Sequence, residues 1–435
     1  MMSDTKKQIE EASDVTPPPS PTANDYIAAA PRISVQAFCE SETAAAAVRS
    51  AGEDRRLAKA HLTVKMGGMA AALETYHNAP TPNVILLESD GQSDLLAALD
   101  ELATVCDPGS RVIVVGNERD SVPYRELVRR GVNDYVMRPV EALDIVRSIC
   151  SLFSATEAVA VGRIIAVVGA KGGAGASTVA HNVAWAIARN LKLDSVVIDL
   201  DLAFGTASLD YNQDPAQGIA NAVFQPDRPD SAFIDRLLAK CTDHLSLLAA
   251  PAALDRVYDL GANAFDAIFD TLRLTTPCIV LDVPHQWSAW TRRALEGADD
   301  ILIVAEPDLA NLRNAKNLLN VLKAARPNDA LPLFCLNQVG LPKRPEIDRR
   351  SFAKTLESQP LAVIPFDSRL FGTAANNGQM IAELSANHRT TRMFLEIARK
   401  LTGHGEERKP GGSLLAPIRD IANMMVGRRS AGHRG

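Results

Sequence analysis

The residues best suited to chemistry lie in one glycine-rich stretch, VVGAKGGAGASTVAHN, residues 167–182. An apolar run ends at Gly169, three glycines follow, and a Ser-Thr pair opens an amphipathic segment. Glycines let the backbone curl so that successive N–H groups face an anion, and the N-terminus of the following helix adds partial positive charge. The pattern predicts a phosphate-binding loop in which Ser177 ligates a magnesium ion. The alternative is a glycine-rich turn that binds no ligand.

The position of the lysine separates this loop from the usual pattern. In GxxxxGK[ST] loops a lysine precedes the Ser-Thr pair, whereas Ala176 stands there in this sequence and Lys171 lies at the front of the loop. The stretch KGGAGAST resembles the deviant Walker A motif of the MinD/ParA ATPases, KGGxGK[ST]T. In that family the first lysine crosses an ATP-sandwiched dimer to the partner's phosphates. The resemblance implies ATP and Mg²⁺ as ligands and a catalytic role for Lys171. It implies cofactor contacts from Lys171, Gly172, Gly173, Ala174, Gly175, Ala176, Ser177 and Thr178.

Two further segments extend the resemblance to residues that would surround the metal. SVVIDLDLAFGTASLDY, residues 195–211, is similar to the switch I segment of the same family. This similarity implies that Asp199 lies near the magnesium ion and that Asp201 orients the attacking water. CIVLDVP, residues 278–284, resembles a Walker B strand, in which Asp282 would hold magnesium through water. The alternative for Asp199 and Asp201 is that both carboxylates cap a turn at the end of a strand.

The base-binding part of the site is implied by two later segments. LFCLNQV, residues 333–339, carries Asn337 where the family has its adenine-reading asparagine. IPFDSRL, residues 364–370, resembles the segment that closes over the base, with Pro365 and Asp367.

A framework of strands and helices must position these residues. Nearly continuous apolar runs alternate with helical patterns in residues 160–402, as is typical of parallel strands buried on both faces. The candidate strands are IIAVVG, SVVIDL, LSLLAA, CIVLDV, ILIVAE, LPLFCLN and LAVIPF. The sequence therefore predicts an α/β P-loop NTPase domain with a mainly parallel sheet.

A separate α/β domain is predicted for residues 32–155. The strand-like runs ISVQAF, NVILLES, RVIVVG and DYVMRP alternate with helical segments. The layout resembles the flavodoxin-like receiver domain of response regulators, whose phospho-acceptor aspartate ends the third strand. Glu88 stands at that position, Gly116 replaces the switch hydroxyl and Arg138 replaces the lysine before a proline. Without the aspartate and its metal, aspartyl phosphorylation has no chemistry available. We expect a degenerate receiver that docks or dimerises, in which Glu88 either mimics a constant negative charge or is a solvated strand end.

The two ends of the chain differ from these domains in composition. Residues 1–31 are charged and proline-rich, which predicts a disordered tail. Residues 403–435 form a basic tail, and residues 413–429, SLLAPIRDIANMMVGRR, have the pattern of a basic amphipathic helix. Such a helix either lies on a membrane surface or docks in a groove of a partner protein, and both readings remain open.

Composition narrows the class of protein. With 46% hydrophobic and 23% charged residues, the 435-residue chain has the balance of a soluble globular protein. The net charge of −6 gives no global attraction to nucleic acid, so no specific nucleic-acid partner is expected. The six cysteines form no CxxC pair, which argues against a zinc site and a disulfide framework. The chain shows neither a signal-peptide pattern nor a run of about 18 apolar residues, so we expect a cytoplasmic protein.

The domain combination is more specific than either domain. A degenerate receiver joined to an ATPase with KGGxGxS in place of KGGxGKS resembles the CpaE/TadZ group of Tad (Flp) pilus assembly proteins, most closely at KGGAGAST, DLDLAFG and EPDLANLRNAKNLL. The resemblance implies an ATP-dependent homodimer that localises or assembles the pilus secretion machinery, at the inner membrane or a cell pole. Hydrolysis should be slow, because Ala176 lacks the charge that stabilises the outer phosphates. The alternatives are a ParA-type DNA-partition ATPase, a phosphorylated response regulator and a scaffold with an inactive nucleotide site.

Overall fold

The computed structural model describes residues 27–89, 95–117, 124–154, 162–224, 229–251, 253–254 and 257–404. Most of the predicted tail 1–31 and all of segment 413–429 lie outside these residues. The described chain forms two α/β units, one with a parallel and one with a mainly parallel sheet, which confirms the predicted fold class. Within the described ranges, no helix has both the length and the apolar character needed to cross a membrane.

The first unit is a five-stranded sheet with helices on both faces. Its strands are β1 (Ser34–Cys39), β2 (His61–Met66), β3 (Val84–Glu88), β4 (Arg111–Gly116) and β5 (Val132–Met137). Its helices are α1 (Glu42–Gly52), α2 (Gly68–Tyr76), α3 (Leu95–Val105), α4 (Tyr124–Arg129) and α5 (Ala142–Ser154), with a 3₁₀ turn at Arg55–Leu57. All strand pairs are parallel, in the order β2-β1-β3-β4-β5. This is the flavodoxin-like order, so the receiver-like layout expected from the sequence is present.

Strand β2 and helix α2 of this unit were not predicted from the sequence. Strand β2 is an edge strand that pairs with β1, and none of its six residues is buried. An edge strand of this kind lacks the apolar run that marks a strand covered on both faces. Helix α2 follows Gly67, which has no side chain to cap the start of the helix. Neither element therefore carries the usual signal at its boundary.

The second unit is an eight-stranded sheet. Its strands are β6 (Arg163–Gly169), β7 (Ser195–Asp199), β8 (Ala239–Thr242), β9 (Leu245–Leu248), β10 (Cys278–Val283), β11 (Asp300–Ala305), β12 (Leu333–Val339) and β13 (Ala362–Pro365). Its helices are α6 (Ala176–Asn190), α7 (Ala207–Asp210), α8 (Ile219–Val223), α9 (Ser231–Leu237), α10 (Asp266–Thr275), α11 (Ala289–Gly297), α12 (Leu309–Ala325), α13 (Arg349–Leu356), α14 (Ser368–Asn377), α15 (Ile381–Leu384) and α16 (Arg389–Thr402). The strand order is β13-β12-β11-β6-β10-β7-β9-β8. Seven strands match the predicted runs; β8, which pairs antiparallel with β9 at the edge, was not predicted.

The apolar strands of this sheet are continuous because both faces are covered. In β6, Ile164 and Ala166 pack with α10 to α13 on one face, whereas Ile165 and Val167 pack with α6 and α16 on the other. The apolar stripe of α6, which includes Val179, Val183 and Ile187, is buried against the second face. This packing fixes the direction in which α6 leaves the loop that follows β6.

The two units meet through buried ion pairs near the starts of β6 and β11. The carboxylate of Asp329 accepts from Arg55 Nε (2.7 Å), from Arg326 Nε (2.7 Å) and from Arg56. Arg55 also reaches Asp299, at 3.1 Å. Burial alone would raise the pKa of Asp329, but the nearby guanidinium groups outweigh burial and hold that pKa below its usual value. Arg55 and Arg56 belong to the first unit and the aspartates to the second, so this network joins the units.

Candidate functional site

The glycine-rich loop lies between β6 and α6, at the carboxyl edge of the central strands. Gly173 and Gly175 have φ of +87° and +84°, the left-handed region that favours glycine. A Cβ atom on Gly175 would also lie 2.4 Å from Nδ2 of Asn337, so a larger residue would displace that side chain. Helix α6 begins at Ala176, and its first backbone N–H groups have no acceptor within the helix. The loop therefore has the geometry of a phosphate cradle built from backbone amides.

The side chain of Lys171 lies at the outer edge of this loop. It is about half exposed (48%), and its Nζ is 3.8 Å from Oδ2 of Asp308. Asp308 caps α12 by accepting from the backbone N–H of Asn311 at 2.7 Å. A solvent-exposed pair at this distance contributes little to stability. The side chain of Lys171 can therefore leave Asp308 and pair with another anion.

Asp199 and Asp282 are neighbours in the parallel pairing of β7 with β10. Both are buried, and the two oxygens of Asp199 accept the backbone N–H groups of Asp201 and Ala207, each at 3.1 Å. Burial and the charge of Asp282 raise the pKa of Asp199 to about 7, although a nearby histidine and the two amides act in the opposite direction. The sheet therefore holds two carboxylates side by side beneath the loop.

His181 lies beside Asp282 and was not predicted from the sequence. Its ring is fully buried in α6, with Nδ1 2.7 Å from Oδ2 of Asp210 and Nε2 3.3 Å from Oδ2 of Asp282. Burial lowers the pKa of His181, but its contacts with Asp210 and Asp282 outweigh burial and raise that pKa to about 10. The second contact is an ion pair without hydrogen-bond alignment. This buried imidazolium lies next to Asp282, the carboxylate of the Walker B-like strand. The glycine-loop motif ends at Thr178 and therefore does not include His181.

The other predicted site residues line the same edge of the sheet. Asp201 accepts from the N–H of Phe204 at 3.0 Å, and Asp367 caps α14 by accepting from Leu370 at 2.9 Å. Pro365 ends β13, next to β12, which carries Asn337. Asn337 is buried and donates through Nδ2 to the carbonyl of Ala174 at 2.8 Å. The fold thus brings the predicted residues to one edge, and their contacts with nucleotide stay predictions.

The carboxylates suit a hydrated magnesium ion better than a direct protein cage. Among the described residues there is no group of three or more His, Cys, Asp or Glu side chains able to hold a metal. Mg²⁺ keeps several waters and is commonly bound by one or two carboxylates together with substrate phosphates. Asp199 and Asp282 already bind amides and His181, so contact through water fits their surroundings. Ser177, Asp199 and Asp282 are the residues that would hold the ion, which would neutralise charge on the outer phosphates.

Glu88 ends β3, where the receiver resemblance places a phospho-acceptor, and it is not a solvated strand end. Its side chain is fully buried and accepts from the backbone N–H groups of Glu40 and Ser41, both at 2.8 Å. Its other oxygen accepts from the Ser41 hydroxyl at 2.7 Å and from Arg138 Nη1 at 3.0 Å. The Glu88 carboxylate is therefore fully satisfied by protein donors. Glu88 and Arg138 thus form an internal ion pair.

Comparison with known proteins defines the class of the larger unit. A family model described as an AAA domain matches residues 162–331. The solved structure of a ParA family ATPase from Chlorobium tepidum covers 54% of this chain and 98% of that chain, at 22% identity and a TM-score of 0.50. At this identity the likeness shows the fold alone. An uncharacterised protein of Mycobacterium tuberculosis is 27% identical over 219 residues; the match spans 50% of this chain and 60% of that relative's length. The fold and the loop define a MinD/ParA-like P-loop NTPase unit, joined to a receiver-like unit.

A second comparison gives the family. The solved structure of the pilus assembly protein CpaE from Caulobacter crescentus is 44% identical in sequence, covering 29% of this chain and 98% of that chain, with a TM-score of 0.28. Sequence identity at this level, across nearly the whole of that chain, carries the assignment. The chain belongs to the CpaE-like family.

Proposed function

We propose that this protein binds ATP with Mg²⁺ at the loop of residues 171–178 and dimerises through the bound nucleotide. In this proposal backbone amides and Ser177 hold the phosphates, while Lys171 of each protomer completes the site of its partner. Asn337, Pro365 and Asp367 surround the base, and Asp201 orients water. The dimer then serves to localise or assemble a Tad (Flp) pilus secretion machine at the inner membrane or a cell pole.

The single observation that carries the nucleotide proposal is the loop geometry. Gly173 and Gly175 adopt the left-handed backbone needed to aim amides inward, and α6 begins directly behind them. The exposure of Lys171 supports its role in a partner's site, because a side chain already committed to its own buried site could not reach outward. The pilus role draws on the pilus assembly function printed for CpaE of Caulobacter crescentus.

A scaffold with an inactive nucleotide site is the second candidate, and two observations favour it. Ala176 places a methyl group where the usual loop has an ammonium group, and the buried His181 already pairs with Asp282. Losing a cation that stabilises transition-state charge costs a few kcal/mol, and each 1.4 kcal/mol slows turnover about tenfold.

For the nucleotide-binding dimer we therefore propose very slow hydrolysis, so that nucleotide binding controls assembly.

Two measurements on the purified full-length chain test this proposal. Fluorescence anisotropy with a labelled ATP analogue and Mg²⁺ should give saturable binding that unlabelled ATP displaces. A phosphate-release assay on the same samples should show turnover well below that of a typical P-loop ATPase. If no nucleotide binds, the nucleotide proposal is wrong and the scaffold with an inactive nucleotide site replaces it.

A further inference from the structure

Side chains from three separate segments donate to backbone carbonyls of the phosphate loop. His285, which follows β10, has Nδ1 3.0 Å from the carbonyl oxygen of Gly169. Asn314 on α12 donates through Nδ2 to the carbonyl of Ala170 at 2.9 Å. Gln338 on β12 donates through Nε2 to the carbonyl of Gly173 at 2.9 Å. Together with Asn337, these residues, which we call the tether residues, fix the loop from outside.

Each tether sets the direction of a whole peptide unit. A peptide bond is planar, so holding its carbonyl fixes the N–H of the next residue on the opposite side. The carbonyl of Ala174, held by Asn337, therefore orients the N–H of Gly175. Gln338 holds the carbonyl of the peptide bond between Gly173 and Ala174. The N–H of the same peptide bond donates to the carbonyl of Lys171 at 3.2 Å, which closes the loop on itself.

The orientation of the Asn314 amide is also fixed. Its Oδ1 accepts from Arg313, with Nε at 3.3 Å and Nη2 at 3.2 Å, which leaves Nδ2 for the carbonyl of Ala170. The ring of His285 can make its contact whenever Nδ1 carries a proton, as it does in one neutral tautomer and in the imidazolium. The tethers thus consist of groups that donate to carbonyls.

We propose that His285, Asn314 and Gln338 are positioning residues that hold the phosphate loop in its anion-binding shape before ligand arrives, and thereby offset the missing lysine at position 176. This inference rests on the proposed nucleotide site. A loop that binds phosphate only through backbone amides attracts it through fixed dipoles. Its affinity for phosphate is therefore higher when the loop changes shape less on binding. Releasing a tether lets carbonyls turn inward, where they repel the phosphates.

The test compares a ligand that has only phosphates with one that has only the nucleoside. Asn314→Ala and Gln338→Ala are made in the full chain, with Asn317→Ala as the matched control, because Asn317 is exposed on the same helix. Inorganic tripolyphosphate and adenosine each compete with the labelled ATP analogue. We expect each tether variant to weaken tripolyphosphate about three- to tenfold, the effect of one hydrogen bond. The affinity for adenosine should stay within about twofold of that of the control variant. The thermal midpoint of unfolding should stay within about 2 °C of the control value.

The outcomes separate this inference from the proposal on which it rests. Binding of the ATP analogue to the parent chain with unchanged tripolyphosphate affinity in both tether variants overturns the tethering role. Equal weakening of tripolyphosphate and adenosine also overturns it, because that result indicates a general structural defect. Failure of the parent chain to bind the ATP analogue overturns the proposed nucleotide function itself, and the tethering role with it.

Discussion

Arg138 Nη1 lies 3.0 Å from Oε1 of Glu88, a carboxylate with no solvent exposure. Arg138 also donates to the carbonyl of Ser89. The receiver resemblance places an acceptor aspartate and a lysine at the positions of Glu88 and Arg138. The first unit thus has a buried ion pair between these two positions.

Removing Arg138 should strongly destabilise the first unit. Arg138→Ala leaves Glu88 as a buried carboxylate without its cation, at a cost of about 3 kcal/mol in the free energy of unfolding. Arg129→Ala is the control, since Arg129 is 80% exposed and its pair with Glu126 is long, at 3.5 Å. Urea unfolding followed by circular dichroism measures both. Equal, small losses for Arg138→Ala and Arg129→Ala would show that the buried pair contributes nothing.

The same ion pair predicts that the chain does not accept phosphate on Glu88. Both oxygens of Glu88 are already occupied by donors, and the acidic pair that holds magnesium in receivers is replaced by other residues after β1. Incubation with radiolabelled acetyl phosphate and Mg²⁺ should give no label. Incorporation that disappears in Glu88→Gln would contradict this prediction.

Stability of the second unit should fall as pH rises in the absence of ligand. The folded pKa of Asp199 is raised to about 7, so the folded state holds that proton more tightly, and stability is lost as pH rises from about 4 to 7. The folded pKa of His181 is raised to about 10, so its stabilisation is complete below about 6.5 and is lost as pH rises through 10. Both groups therefore change stability in the same direction.

Substitutions at Asp199 and His181 separate the pH ranges in which each group changes stability. Urea midpoints measured from pH 5 to 9 should fall less between pH 5 and 7 in Asp199→Asn than in the parent chain. In His181→Asn they should fall less between pH 7 and 9, while absolute stability drops by roughly 3 kcal/mol because Asp282 loses its buried partner. Profiles parallel to that of the parent chain would rule out these pKa shifts.

The network between the two units should couple their unfolding. Asp329 accepts from guanidinium groups of both units, so the Arg55→Ala and Asp329→Ala changes should show a coupling energy of about 1–3 kcal/mol in a double-mutant cycle. The exposed pair of Lys240 and Asp243, at 3.7 Å, is the control and should couple by less than about 0.5 kcal/mol. Additive effects at Arg55 and Asp329 would mean that the units do not depend on this contact.

Much of the fold could be predicted because local patterns determine it. Buried parallel strands such as β6 and β10 are continuous apolar runs, and the glycines of the loop need their backbone freedom wherever the strand–loop–helix order occurs. Strands β2 and β8 were missed because edge strands lack that apolar signal. The surroundings of Glu88 were left open, because its donors come from Ser41 and Arg138, 47 and 50 residues away.

The parts of the site that the sequence could not give are tertiary contacts between distant residues. His181 belongs to α6 but acquires its role from Asp210 and Asp282, which arrive from other segments. The contacts of Asn314 and Gln338 with the loop span 144 and 165 residues. No spacing rule relates such positions, because they are brought together by the order of strands in the sheet.

The central claim is that Lys171 serves the site of a partner protomer. Light scattering on the full chain with ATP and Mg²⁺ should give a dimer mass for the parent protein and a monomer mass for Lys171→Ala. Binding of the labelled ATP analogue should be retained in the variant, because the amides of its own loop are intact. A dimer that persists with ATP in Lys171→Ala would contradict the account.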